Sequence, residues 1–374
     1  MACAKAPAPP LPLVGERPLG WVDVRLSMPA EQPATIGSNG PFEIYDSQGL
    51  LVMEGSSLPE NTPIQVEEGE ILLGERVRVA QSLELRPLDG ATLTFRGQQY
   101  RSLLRIEISD QGRPRVINRL NIEDYLKGVL PVEMPDRFGL EALKSQAVAA
   151  RSYALSEGAR RGWLHPDVRS QVYGGKEVET WLSTEAIEQT AGQVLAHEGQ
   201  IIPAWFQSTC GGKTARAADV FPAPPEGVLH KQVPCSDCQH SGSWSWTRTL
   251  DAEVVCEAAG LPVAPLESIS LEPPYLPGRP EWITITAGGL ESRIPAVNFR
   301  ERVSRGQPRA KQLLSTRWAA PPRISPEALV VQGQGWGHGV GLCQYGANGY
   351  ARRGAGYRII LRRYYPGADL VQLL

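Results

Sequence analysis

The chain has 374 residues, 42% apolar and 21% charged, the balance of an ordinary globular protein with one large domain or two moderate ones. Its 38 Lys and Arg against 40 Asp and Glu leave a net charge of -2, so no broad basic field exists for gripping nucleic acid and such a partner is excluded. No run of roughly 18 apolar residues occurs, which excludes a membrane-spanning helix within these residues.

Met1 to Pro12 lacks the charged and apolar regions of a secretory signal, and residues 1–20 read as a disordered Pro/Ala leader. Ala2-Cys3 also matches the tail of a lipoprotein cleavage site whose apolar part would lie upstream. From Trp21 to Asn118, short apolar runs alternate with turn signals: Pro41 to Ile44, Gly49 to Val52, Glu70 to Leu73, Ala91 to Phe95 and Leu104 to Ile108. That spacing predicts many short strands.

The character changes at Asn121. Asn121 is a helix N-cap, Glu123 and Asp124 sit where the helix dipole favours acids, and Tyr125, Leu126 and Val129 supply an apolar side until Pro131 closes the helix. Gly139 to Arg160 predicts a second helix, with Leu140, Leu143, Ala147, Ala150 and Ala154 recurring at helical intervals. A stripe made mostly of alanine lets another element approach closely, so this helix is expected at the centre. Between the helices lies Pro131-Val132-Glu133-Met134-Pro135. A glutamate on a stiff turn with apolar neighbours has surroundings that raise a carboxyl pKa toward the range of a general acid. Taken alone, Glu133 is more readily an exposed turn glutamate than a functional acid.

Beyond Gly162, strands are expected at Ile201 to Phe206 and Trp282 to Thr286, and loops at 215–245 and 272–281. Cys235-Ser236-Asp237-Cys238 is a CxxC, while Cys3, Cys210, Cys256 and Cys343 are scattered. That pattern is closer to a metal or redox cluster than to a disulfide framework, and Cys256, in an apolar helical stretch, reads as a small core residue.

The most specific string is Gly335-Trp336-Gly337-His338-Gly339-Val340-Gly341-Leu342-Cys343-Gln344-Tyr345-Gly346-Ala347. A lone histidine between glycines, followed by Gln and Tyr, is a polar cluster on a tightly folded loop that a ligand can approach closely. A phosphate cradle is poorly supported, since no GxGxxG opens a helix after a strand and no Gly-Lys-Ser/Thr follows. The string resembles the GHGVGMSQYGA signature of the SpoIID/LytB family. Three stretches resemble the same family in the same order: Glu123 to Val129 running into Val132-Glu133-Met134-Pro135, then Leu143 to Ala154, then Ser208-Thr209-Cys210-Gly211-Gly212-Lys213-Thr214. Gln171-Val172-Tyr173-Gly174-Gly175 and the final Tyr364-Tyr365-Pro366-Gly367 are similar to further family stretches.

The resemblance, covering roughly Val22 to the C-terminus, implies a mixed α+β fold, β-rich with a central Ala-rich helix pair and a glycan-binding groove. It divides 21–374 into a β-rich part (21–118), catalytic helices with the STCGG loop (119–214), a loop-rich and β insertion (215–325) and a GHGVG loop with the C-terminal part (326–374). It implies a lytic transglycosylase that cuts the MurNAc-β-1,4-GlcNAc bond of peptidoglycan, in glycan stripped of stem peptides, leaving a 1,6-anhydro end. Glu133 is then the acid/base, and Gln146, Arg151, Tyr173, Ser208, Thr209, His338 and Gln344 are candidate groove residues, with a structural role as the alternative for each. One carboxylate suffices because no attacking water is needed, and no cofactor is required. The implied setting is extracytoplasmic, in periplasm or cell wall, with anchoring through a lipid or an upstream signal; the implied partners are glycan strands and a cell-wall amidase. The rival is a non-catalytic glycan-binding enhancer of that amidase. A metal-dependent amidase or peptidase is disfavoured, with no HExxH and only five widely spaced His.

Some family members bind zinc through a His and two Cys ahead of the QVYxG stretch; here His165 is roughly placed but no cysteine accompanies it, so that site is expected to be absent. Cys210 and Cys343 instead replace family serines. If both loops border the groove, as the resemblance implies, Cys210, Cys235, Cys238 and Cys343 converge on one structural zinc with Zn–S bonds of about 2.3 Å. Disulfides and free thiols are the competing readings, and His240 is a substitute ligand.

Overall fold

The computed structural model describes residues 18–26, 33–221, 224 and 231–373. Most of the predicted leader, Cys3 included, lies outside the described residues. The chain divides into two compact units, Met1–Val194 with Gln372–Leu374 and Leu195–Val371.

The first unit contains two six-stranded antiparallel sheets. One runs in the order Trp21–Arg25, Pro114–Asn121, Leu103–Ile108, Ser82–Pro87, Phe42–Asp46, Leu51–Gly55; the other runs Gln98–Tyr100, Leu93–Phe95, Thr35–Ser38, Leu58–Glu67, Glu70–Leu73, Val77–Ala80. Period-two alternation builds the core: in Val77–Ala80 both valines are buried while Arg78 and Ala80 face out. Ile44, Leu83, Leu85 and Ile106 of the first sheet and Ile36, Ile71 and Leu93 of the second are fully buried. Each apolar run expected over 41–108 contributes residues to one of these strands.

Helix α1, Ile122–Glu133, starts as expected, with Asn121 Oδ1 accepting the N–H groups of Glu123 and Asp124 at 3.0 Å each. Its end corrects the sequence reading. The helix runs through Pro131 rather than closing there, so Glu133 lies on its last turn and not on a separate turn. Proline has a helical φ but removes its own N–H and crowds the carbonyl one turn back; beyond it the Met134 N–H again reaches back to Leu130 O at 2.9 Å, and both Leu130 and Met134 are fully buried. Burial of that face outweighs one lost bond.

After a 3₁₀ turn, Asp136–Phe138, comes α2, Leu140–Arg161, ended by Gly162 in the left-handed conformation (φ 82°). Every residue from Ser145 to Ala154 is buried, as expected of an alanine-rich helix enclosed on all sides. Helix α3, Trp181–Glu188, follows, and α1, α2 and α3 pack on one another.

The second unit holds a short parallel pair, Phe206–Gln207 with Leu342–Cys343, and two three-stranded sheets, one of Ser245–Asp251, Ala328–Gln334 and Arg323–Ser325, the other of Leu266–Glu272, Trp282–Ala287 and Leu290–Pro295. Helices α4 (Ala252–Ala259) and α5 (Ala296–Ser304) share with these sheets a core that includes Trp246, Cys256, Ile285, Phe299 and Trp318. Cys256 is thus a core residue, as expected. Helices α6 (Gln344–Arg352) and α7 (Tyr357–Tyr364) close the unit. The strand expected across Ile201 to Phe206 is broken in its middle. Pro203 offers no N–H to a ladder, and the N–H groups of Ala204 and Trp205 turn back to Ile202 O (2.8 Å) and Pro203 O (2.7 Å).

Candidate functional site

Glu133 is half-buried at the end of α1, between buried Met134 and Val132, which is 41% exposed. Its Oε1 accepts the Val172 N–H at 3.0 Å. That bond depends on how Gln171–Gly175 lies along α1. The Gly174 N–H donates to Gly128 O at 2.9 Å, and a Cβ on Gly128 would stand 2.5 Å from the Tyr173 ring, so only glycine admits the segment this closely. Gln171 is fully buried and staples the segment to both helices, its Oε1 accepting the Tyr125 hydroxyl (3.1 Å) and its Nε2 donating to Ala150 O (3.3 Å). Tyr173 stacks on Tyr125 at 5.3 Å between ring centroids and donates its hydroxyl to Asn118 Oδ1 at 2.7 Å. Burial pushes both phenols well above their ordinary pKa, so they remain proton donors. Tyr173 also borders a hollow of about 300 Å³ lined by Phe95, Arg96, Gln98 and Tyr100. On the other side of Glu133, Asp136 Oδ1 accepts the hydroxyls of Thr180 and Ser183 at 2.9 Å each, which ties the turn to α3.

Arg151 is fully buried. Its Nε and Nη2 donate to the two Glu123 carboxylate oxygens at 2.9 and 2.6 Å, and Nη1 donates to Gln193 O at 3.1 Å. These bonds run inside the protein and join α2 to α1, so Arg151 positions the helix that follows Glu133. Gln146 is the contrasting case. Its neighbours Ser145 and Ser152 return their hydroxyls to Ala142 O (2.7 Å) and Val148 O (2.6 Å) of their own helix. Neither the Nε2 nor the Oε1 of fully buried Gln146 has a protein partner.

Ser208, Thr209, His338 and Gln344 belong to the second unit. Thr209 and Trp336 exchange backbone bonds of 3.0 and 2.8 Å, and Thr209 Oγ1 lies 2.7 Å from Ser241 Oγ and 3.4 Å from Ser208 Oγ. His338 Nδ1 accepts the Val340 N–H at 3.1 Å, so the ring proton sits on Nε2, which donates to Phe206 O at 2.8 Å. The imidazole is therefore the neutral Nε2–H form, packed against Phe221 at 5.3 Å. Gln344, 7% exposed, opens α6.

Beside these residues the Sγ atoms of Cys210, Cys235, Cys238 and Cys343 all lie within 4.8 Å of one another, and all four side chains are buried. No disulfide joins the described cysteines. Cys343 Sγ accepts the N–H groups of Cys210 (3.2 Å) and Gly346 (3.4 Å), and Tyr364 Oη lies 3.1 Å from Cys235 Sγ. Hydrogen bonds from the neighbouring thiols and Tyr364 push Cys235 well below the ordinary thiol pKa, whereas burial and the other three thiols push Cys343 up. Arg279 donates from Nη2 to Cys210 O (3.1 Å) and from Nη1 to Thr316 Oγ1 (3.1 Å), and Arg317 donates from Nε to Gly211 O (2.8 Å). A Cβ on Gly339 (φ 93°) would stand 2.6 Å from the Arg279 guanidinium, so this glycine makes room for it. Burial lowers the pKa of both arginines, that of Arg279 to about 10, and both stay charged at neutral pH.

A family model described as SpoIID, stage II sporulation protein, matches residues 110–197, the stretch that carries α1, Glu133, α2, Tyr173 and α3. The amidase enhancer of Bacillus subtilis is 30% identical over 289 residues, 66% of this chain and 40% of that protein. Stage II sporulation protein D of Bacillus amyloliquefaciens is 26% identical over 273 residues, 68% of this chain and 75% of that protein. Residues 110–197 carry a SpoIID domain. An uncharacterized protein of Brachyspira hyodysenteriae is 33% identical over 358 residues and matches nearly end to end, with 91% of this chain and 90% of that one covered. The chain spans less than half the length of the amidase enhancer. The SpoIID model match surrounds Glu133 and ends before Ser208.

Four groups escape sequence reasoning: the Val172 N–H, Arg279, Arg317 and Tyr364. A backbone donor leaves no compositional trace. Arg279 sits in a stretch that reads only as a Pro/Gly loop, and Tyr364 stands in a recognisable carboxyl-terminal string that does not reveal its sulfur neighbour.

Proposed function

We propose that this SpoIID-family chain is a peptidoglycan lytic transglycosylase that cleaves the MurNAc-β-1,4-GlcNAc bond in peptide-stripped glycan. The observation that carries the proposal is Glu133, a half-buried carboxyl inside the SpoIID match, oriented by the Val172 N–H at the end of a buried helix pair. Protonated Glu133 donates to the glycosidic oxygen as the bond to the muramoyl C1 breaks and C1 takes on oxocarbenium character. The resulting carboxylate accepts the proton of the C6 hydroxyl as that oxygen bonds to C1, which closes the 1,6-anhydro ring and restores the acid. No water is consumed. Gln146, Tyr173, Ser208, Thr209, His338 and Gln344 are proposed to hold sugar hydroxyls and N-acetyl groups or the loops that do so, with Arg151 as a positioning residue. The protein would act outside the cytoplasmic membrane, where peptidoglycan lies; no helix among the described residues is long and apolar enough to cross a membrane.

The same reading gives Cys210, Cys235, Cys238 and Cys343 one structural zinc ion, supported by four buried sulfurs within 4.8 Å of one another. Four protein ligands would complete its shell and leave no position for a reacting water. A second reading is favoured by the similarity to a protein named amidase enhancer: a glycan-binding partner that stimulates a cell-wall amidase without cutting glycan. Incubation of the purified protein with denuded strands separates the two. The transglycosylase releases muropeptide-free anhydro sugars and Glu133→Gln abolishes their release; the enhancer retains strands, releases nothing, and raises amidase turnover with either residue at 133.

A further inference from the structure

The four-cysteine centre and two half-buried arginines present complementary electrostatic problems. Four thiolates around a divalent ion carry a net charge of about -2, and burying such a charge without compensation is costly. Arg279 and Arg317 are the mirror problem. Neither has a carboxylate partner among the described residues, and Arg279 Nε is enclosed without any acceptor. Their anchoring is specific, because Arg279 holds the carbonyl of Cys210 itself and Arg317 that of the next residue, Gly211.

The sulfur geometry fits an ion rather than a covalent bridge. Cys210 Sγ and Cys238 Sγ are 3.6 Å apart. The edge of a tetrahedron with Zn–S bonds of about 2.3 Å is about 3.8 Å, whereas a disulfide needs about 2.05 Å. The backbone N–H groups of Cys210 and Gly346 and the Tyr364 hydroxyl approach the sulfurs as donors to thiolates would.

We infer that Arg279 and Arg317 are the counter-charges of a tetrathiolate zinc centre, and that with Tyr364 they form the shell that sets how tightly the ion is held. This rests on the zinc reading above. The test uses the full chain purified without chelator. Zinc should be present at one ion per chain, and cobalt replacement should give the intense thiolate-to-metal bands of a tetrahedral tetrathiolate site. In Arg279→Met/Arg317→Met, transfer of zinc to a chromogenic chelator should be at least about tenfold faster than in the wild type, and Arg279→Lys/Arg317→Lys should restore most of the retention. If the methionine variant does not fold, Tyr364→Phe keeps the ring and removes one donor to sulfur, and the same acceleration together with a shifted cobalt band is expected. Absence of both zinc and the cobalt bands in the wild type would overturn the metal reading and this inference with it. Zinc released at the wild-type rate from the variants would overturn the inference and leave the metal reading standing.

Discussion

Gln146 and Arg151 lie five residues apart on α2, are both fully buried, and behave oppositely. Arg151 is bonded to Glu123 and Gln193, so Arg151→Met removes one member of a buried pair and strands the other. A loss of roughly 3 kcal/mol is expected in urea denaturation, at the low end for buried pairs because Glu123 keeps some solvent contact. A buried amide without partners costs about 1–3 kcal/mol, and replacing it by an apolar side chain of similar shape relieves that cost. Gln146→Met should therefore unfold at an equal or higher urea concentration while weakening retention of denuded glycan; a clear loss of stability would contradict a ligand-directed role. Glu133 itself stands on geometry absent from its own neighbourhood in sequence, since the orienting N–H comes from Val172, thirty-nine residues on.

At the level of elements, the Glu133 site depends on a close approach between α1 and Gln171–Gly175. Gly128→Ala places a methyl group against the Tyr173 ring and should lose about 1–3 kcal/mol. Amide hydrogen exchange at Val172 should accelerate, because the segment that presents it is pushed off the helix. In the second unit, Cys210 directly follows Ser208-Thr209 and Cys343 directly precedes Gln344. Stripping the proposed zinc should raise hydrogen exchange across 208–214 and 341–346 while leaving α2 protected, read by mass spectrometry of peptic fragments. The legible features were those decided locally. The Asn121 cap, the short alternating strands and the alanine stripe of α2 each carry their signal within a few residues, and the structure has them where expected. Two local readings failed for different reasons: Pro131 is carried inside α1 by packing of the buried Leu130 and Met134, whereas the apolar run at Ile201 to Phe206 turns at Pro203, which offers no N–H to a ladder. The convergence of four cysteines spread over 133 residues was readable only by analogy with related loops, and their arginine partners carried no sequence signal at all.

For the molecule as a whole, one unit carries the carboxyl proposed to make and break the bond, and the other carries the histidine loop and the cysteine centre. The SpoIID match, residues 110–197, lies almost entirely in the first unit, and the similarity to the Brachyspira hyodysenteriae protein runs over both. The proposed single-carboxylate mechanism would make the chain differ from a paired-carboxylate glycosidase in one respect that can be measured: the oxygen that ends on C1 would come from the substrate. Denuded glycan strands cleaved in water enriched in heavy oxygen, with the products weighed by mass spectrometry, test this directly. The account predicts 1,6-anhydro ends one water lighter than hydrolysed sugar, with no heavy oxygen incorporated and none formed by Glu133→Gln. Reducing ends that carry the heavy isotope, or anhydro products undiminished in Glu133→Gln, would contradict it.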